Sequence, residues 1–200
     1  MKITCLASGS KGNCIYVEGD EGALLVDAGL TAKEIKKRLS DAGGDEGRIR
    51  GILVTHEHID HIRGVDVLAR RLGVPVVGTA GTLGAFSSAR TSSKPVDLIR
   101  AFAGEALDLG GFSVTPFLTA HDAAEPCGYR LAEGAVSLGC CLDTGIVTPG
   151  IERVLARCDA VVLESNHCPQ MLEEGPIRNF SKNGSARSTA TSPTPPPPPA

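Results

Sequence analysis

The chain has 200 residues, 42% of them hydrophobic, a formal net charge of -3 and seven cysteines. That length supports one domain with a core large enough to need no disulfide staples. The charge excludes a whole-molecule attraction to polyanions, so any nucleic-acid contact must come from a local basic patch.

The scattered, odd-numbered cysteines contain no C-x-x-C pair and read as reduced thiols. The first residues turn polar too early for a signal peptide, and no apolar run reaches the roughly 20 residues of a spanning helix. A soluble, cytoplasmic protein without membrane contact is expected. Apolar runs at 2–7, 14–17 and 23–26, the first two separated by Ser8-Gly9-Ser10-Lys11-Gly12-Asn13, predict an antiparallel β start. Thr31 and Glu34 match a capping box ahead of Ile35, Leu39 and Ala42 at helical spacing. Residues 51–54 read as a buried strand, and Ile62, Val65, Leu68, Ala69 and Leu72 predict an amphipathic helix. A strand at 74–77, a weaker helix at 79–88 and strands at 96–101, 112–118, 128–131 and 136–142 follow. Thr148 as cap and Pro149 at the first helical position open a helix through Ile151, Val154, Leu155 and Cys158, leading to a strand at 160–163. Beyond Ile177 the composition turns to Ser, Thr, Ala and Pro, so the expected division is one domain over 1–176 and a disordered tail over 177–200.

Three of the five histidines fall within Thr55-His56-Glu57-His58-Ile59-Asp60-His61, between the strand at 51–54 and the helix after it. Side chains two apart on extended backbone share a face, so His56 and His58 can converge on one cation while Asp60 and His61, past the turn, reach a second. Imidazole and carboxylate suit Zn²⁺ and also accept Mn²⁺ or Fe, whereas the absence of Cys argues against a structural thiolate site. A solvated His-rich loop is the bland alternative, and the density of the string weighs against it. His121 and Asp143 each follow a predicted strand; His121 would complete the first cation's shell and Asp143 could bridge both, although either alone reads as a turn residue.

The string His56, His58, Asp60, His61 resembles the H-x-H-x-D-H signature of the metallo-β-lactamase superfamily. Together with Ser8 to Asn13, Asp27-Ala28-Gly29, His121-Asp122-Ala123 with Glu125-Pro126, Asp143-Thr144-Gly145 and Glu164-Ser165-Asn166-His167, it is similar to the bacterial YycJ/WalJ-type branch. The resemblance runs from about Lys2 to Pro176 and implies an α+β fold, the four-layer αβ/βα sandwich, with its C-terminal part incomplete. It implies His56, His58 and His121 at one metal, Asp60 and His61 at a second, and Asp143 between them. Asp27 either orients a ligand histidine or forms the turn before Gly29. Cys168 stands where the branch has Asp, as a buried thiol or a ligand. The branch's later Gly-His-Leu-Ser-Asn-like segment has no counterpart, so a truncated or frameshifted end is expected. His167 is the candidate substitute there and, with Asp60, the candidate catalytic pair.

The function expected from these features is metal-dependent hydrolysis by a hydroxide shared between two divalent cations, zinc first. The resemblance implies a DNA exonuclease acting on phosphodiesters, with DNA as partner. Hydrolysis of a small ester or thioester is the alternative chemistry, and an impaired, non-catalytic product is the alternative outcome. Lys33, Lys36, Lys37 and Arg38 form a candidate DNA-facing patch, or simply a solvated helix face.

Overall fold

The computed structural model describes residues 1–163. Its first sheet has the order β1-β2-β3-β4-β5-β6, formed by β1 (Lys2–Ala7), β2 (Cys14–Glu18), β3 (Ala23–Val26), β4 (Ile49–Leu53), β5 (Val76–Gly78) and β6 (Leu98–Arg100). The hairpin strands β1, β2 and β3 pair antiparallel, as the short turns between them require, and β3 to β6 pair parallel. β3 reads Ala-Leu-Leu-Val and is buried on both faces, the pattern of a strand covered on both sides.

The crossovers carry α1 (Ala32–Asp41), α2 (Ile59–Ile62), α3 (Val65–Leu72) and α4 (Ala80–Ala89). Thr31 caps α1 by accepting from Glu34 N, but the Glu34 carboxylate bonds Arg38 instead of reaching back, so only half of the capping box forms. The apolar run expected as one helix after the histidines is two, α2 and α3. Gly64 lies between them because a Cβ there would meet Leu30 O at 2.5 Å.

The second sheet has the order β11-β10-β9-β8-β7. It comprises β7 (Leu107–Leu109), which the sequence reading missed, β8 (Phe112–Leu118), β9 (Cys127–Glu133), β10 (Val136–Cys141) and β11 (Ala160–Leu163). α5 (Pro149–Leu155) connects β10 to its parallel neighbour β11, with Thr148 accepting from Ile151 N as cap.

Three apolar clusters fix the layers. Ile35, Leu39, Leu68 and Phe86 of the helices pack on one face of the first sheet. Leu24, Val26 and Leu53 meet Val114, Tyr129 and Leu138 between the sheets, and Ile151 of α5 meets Phe117 and Cys141 on the outer face of the second. The result is the four-layer sandwich the sequence resemblance implies. Burying each such side chain contributes about 1.5–3 kcal/mol. Tyr129 also stitches the sheets, its hydroxyl donating to Val54 O at 2.8 Å, and Cys127 N donates to Thr55 O at 2.9 Å.

Among the described residues no helix is long and apolar enough to cross a membrane. The expectations for Glu164 to Cys168, for the boundary at 176 and for the tail at 177–200 lie outside the described residues.

Candidate metal centre

The parallel pairing of β3 with β4 aligns Val26 with Leu53, so Asp27 and Thr55-His56 leave the first sheet at one edge. Carboxyl ends of parallel strands are where α/β proteins place their chemistry. In the second sheet, β8 and β10 both run antiparallel to β9, so their ends deliver His121 and Asp143 along a common edge. Gly145 N donates to Ala120 O at 2.8 Å, tying those two loops together.

The structure brings His56, His58, His61, His121 and Asp143 into one cluster. The His56 ring centroid lies 4.6 Å from that of His58, 4.0 Å from His61 and 4.8 Å from His121. Two overlapping donor sets result: His56 with His58 and His121, and His56 with His61 and Asp143, each with ligand atoms within 4.8 Å of one another. His58 Nδ1 lies 3.2 Å from His121 Nε2, and Asp143 Oδ2 lies 2.7 Å from His61 Nε2 and 3.5 Å from His56 Nε2. Asp60, in the first turn of α2, has Oδ2 3.9 Å from His61 Nε2, beside the second set. His58 is the N-cap residue of α2, its backbone still extended, so the chain changes course between the donors of the first set and those of the second.

Asp27 sits beneath the cluster, fully buried. Its Oδ1 accepts from Thr55 N at 2.8 Å; its Oδ2 accepts from Thr55 Oγ1 at 2.8 Å and lies 2.7 Å from His61 Nδ1. His61 Nδ1–H therefore points at a carboxylate, which leaves Nε2 to face the cluster. Because the Thr55 hydroxyl proton is committed to Asp27, its oxygen accepts from His56 Nδ1 at 3.0 Å, and His56 Nε2 also faces inward with its lone pair free. Of the two readings of Asp27, the geometry favours orientation of His61, although the residue also makes the turn. Both Asp27 and Asp143 have positive φ, 59° and 47°, a strained conformation that such bonds hold in place.

The electrostatics divide the imidazoles. Burial and the neighbouring His61, His121 and His58 rings hold His56 well below the usual imidazole range, and burial likewise lowers His121. Burial opposes charge on His61 too, but the Asp27 and Asp143 carboxylates overcome it and carry the ring up to about 10. For Asp143, burial raises the carboxyl while His61 and the other imidazoles lower it, with a net shift downward.

Several supporting residues had no role assigned from sequence. Asn13 N donates to Asp60 O at 2.7 Å and Asn13 Nδ2 lies 3.0 Å from His61 Nε2. Glu57 Oε1 accepts from Ala124 N at 2.8 Å, and Glu125 Oε2 accepts from Gly81 N at 2.8 Å at the start of α4. Thr79 and Thr82 hydroxyls donate to Glu125 O. The His121 loop is thus pinned to both the His58 segment and α4. The presence of Asn13 and Glu125 in the branch-like motifs was the available signal.

A chain with this fold and this donor arrangement belongs to the metallo-beta-lactamase superfamily, whose pattern matches residues 7–131. Among individual relatives, it is 39% identical over 176 residues to an exodeoxyribonuclease YycJ of Bacillus anthracis, covering 88% of this chain and 66% of that protein. It is 34% identical over 177 residues to an exodeoxyribonuclease WalJ of Streptococcus pneumoniae, covering 87% and 65%. The chain thus spans just under two thirds of the length of these curated relatives. Among solved structures, zinc-bound PqqB from Methylobacterium extorquens superposes with a TM-score of 0.64 at 21% identity over 76% of this chain and 60% of the other. A Cronobacter sakazakii metallo-beta-lactamase gives 0.61 at 19%, over 78% and 74%. These likenesses show the fold.

Proposed function

We propose that the chain is a two-metal phosphodiester hydrolase that degrades DNA from an end, as an exodeoxyribonuclease of the YycJ/WalJ type. The observation that carries the metal part is the pair of donor sets sharing His56. Their fit to cations rests on chemistry: four inward-facing imidazoles and a carboxylate, with no thiolate among them. It rests also on His56 Nε2, a buried nitrogen that meets no hydrogen-bond partner among the described residues.

In this proposal His56, His58 and His121 hold one divalent cation, Asp60 and His61 serve a second, and Asp143 lies between them. Zinc suits this donor set best, and manganese or iron also fit it. Bound there, such cations supply Lewis acidity and make a water acidic enough to attack near neutral pH. Asp27 keeps His61 and, through Thr55, His56 in the tautomer that presents Nε2. Asp143 neutralises the charge gathered at the imidazoles, and the Asn13 amide keeps the Asp60 turn in place. The DNA part is supported by the names of the 39% and 34% identical relatives. Cytoplasmic placement belongs to the same proposal, in keeping with the free thiols.

The test pairs elemental analysis with digestion of end-labelled DNA, beside Asp60→Ala. About two zinc ions per chain and stepwise digestion lost in the variant support the proposal. Equal digestion by both proteins refutes the two-metal part. Robust turnover of a small ester with no DNA digestion would favour the small-ester reading, and one cation or none with no turnover the impaired one.

A further inference from the structure

A cavity of about 630 Å³ lies on the outer face of the second sheet, and none of the clustered histidines lines it. Its floor includes Thr115 and Phe117 of β8, and around it stand Arg130 of β9, Arg153 of α5 and Arg157 just past the end of α5. The sequence dictates this arrangement. Tyr129 and Leu131 are buried between the sheets, so alternation along the strand sends Arg130 to the opposite face, beside its cross-strand partner Thr115. Arg153 and Arg157 are four apart and share a side of the chain as it leaves α5.

Three guanidinium groups around one cavity repel one another unless something anionic joins them. Among the described residues none of the three forms an ion pair with a carboxylate. The nearby Asp159 is engaged by Ser137, accepting from its N at 2.8 Å and its Oγ at 3.0 Å, and Glu152 stands exposed on α5. The basic patch read from sequence on α1 behaves in the opposite way. There Lys36 pairs with Glu46, Lys37 with Asp41 and Arg38 with Glu34, each at 2.8 Å. On α1 three of the four cations are thus paired, whereas behind the second sheet only Arg130 is partly offset, by the Asp159 carboxyl that Ser137 chiefly and Arg130 in part lower, and Arg153 and Arg157 form no ion pair among the described residues.

We propose that the Arg130, Arg153 and Arg157 groove is a second binding site, which takes backbone phosphates of a DNA strand whose reacting end lies at the histidine cluster. Guanidinium is the side chain best matched to phosphate oxygens. The elements lining the groove lead to the cluster: β8 carries Thr115 and ends at Leu118, three residues before His121, and Gly150 follows Asp143 by one short loop. Six residues from Thr115 to His121 span at most about 20 Å at strand rise, roughly the length of six stacked nucleotides. Two residues before Gly104, another lining residue, exposed Phe102 carries the Arg100 guanidinium 4.4 Å over its ring. An exposed ring of this kind is where bases stack, which favours a nucleic acid over free phosphate. The proposal rests on the nuclease reading for its substrate, but not for its binding chemistry.

The test is fluorescence anisotropy with a labelled, cleavage-resistant phosphorothioate strand of 20 nucleotides, comparing the wild-type chain with Arg153→Glu/Arg157→Glu and Lys36→Glu/Lys37→Glu. The first pair should weaken binding at least about tenfold and flatten the logarithmic salt dependence by about 1.4, the loss of two single-strand phosphate contacts; the second should change affinity less than about twofold. Arg153→Gln/Arg157→Gln, with an unchanged melting curve, should fall between. Unchanged affinity and salt slope in the arginine variants, or no binding by the wild type, overturns the groove. Charge reversal that abolishes binding, while the wild type leaves the matching unmodified phosphodiester strand undigested with zinc or manganese added, supports the groove and sinks the nuclease reading. Normal digestion with an unaltered KM in the variants does the reverse.

Discussion

An added methyl group at Gly29 measures how tightly the ligand-bearing turn is held. A Cβ at this position would lie 1.6 Å from Asp60 O, 2.3 Å from Asp60 C and 2.7 Å from Asn13 N. All three are backbone atoms, so no side-chain rotation relieves the clash. Ordinary contact begins at 3.4 Å, and the Asp60 carbonyl must therefore retreat by about 1.8 Å. Overpacking of this kind costs about 1–3 kcal/mol, and misplacing a reacting constellation by about 1 Å costs on the order of a hundredfold in rate. Gly29→Ala should accordingly lose about 2–3 kcal/mol of stability by that range and, under the proposed function, retain about one cation of the two proposed and digest DNA at least about a hundredfold more slowly. Urea unfolding, elemental analysis after dialysis and the digestion assay read these three effects. Gly84→Ala is the control: it lies inside α4 with nothing within 4 Å of an added Cβ, and alanine there should stabilise by about 0.5–1 kcal/mol. A Gly29→Ala protein with wild-type unfolding, full metal content and full activity would refute the reasoning.

Asp27→Asn should lower zinc affinity about 10–100-fold while the chain still folds, because the amide keeps an acceptor for Thr55 N; competition with a chromogenic chelator measures it, and unchanged affinity counts against the orienting role. Glu125→Ala removes a charged acceptor from the first turn of α4 and should cost about 1.5–3 kcal/mol, with a looser His121 loop visible as faster amide exchange at Ala123 and Ala124. Asp66 gives the pH dependence: burial raises its carboxyl, but Arg70 and Arg90, at 2.6 Å each, lower it on balance. A depressed carboxyl contributes stability above its unfolded value of about 3.9 and loses it as pH falls through the folded value. Wild type should thus exceed Asp66→Asn in stability at pH 7, with the gap shrinking as pH falls below the unfolded value of about 3.9; a gap independent of pH would contradict the pairing.

Sequence reading recovered the elements wherever periodicity and punctuation agreed, as in β3, α1 and α5. It failed where tertiary contact overrode the pattern. Ile62, Val65 and Leu68 carry one continuous helical period, and only the approach of Leu30 O to Gly64 reveals that the helix breaks there. β7, Leu-Asp-Leu, offers only two leucines before Gly110-Gly111, whereas the equally short β5 and β6 lie within longer apolar stretches at 74–77 and 96–101. The donor string was legible because donor chemistry is concentrated in few residue types, and the two strand-end residues His121 and Asp143 could be attached to it. The arginine groove was not legible, since Arg130 is 23 residues from Arg153 and only the pairing of β9 with β8, together with the packing of α5 on the outer face of that sheet, brings them together. The lysines and arginine of α1 looked more basic on paper, because their acidic partners include Glu46, outside the helix.

The residues that make the site possible are mostly not the donors. Asn13 N and Ala28 N donate to Asp60 O and His61 O, Gly64 N donates to Ala28 O, and Gly29 N donates to Asn13 O, all between 2.7 and 2.8 Å. These bonds make the loops at 8–13 and 27–29 a mould around α2, a helix of four residues that is too short to persist by its own hydrogen bonds. A mould fixes position only if its wall is close, which explains small residues at 28 and 29 and a short amide at 13. It also explains why Asp27 serves both donor sets: from the bottom of the same mould it reaches His61 directly and His56 through Thr55. Because His56 belongs to both sets, loss of Asp27 should disturb them together, and selective loss of a single cation in Asp27→Asn would show that the two sets are held independently.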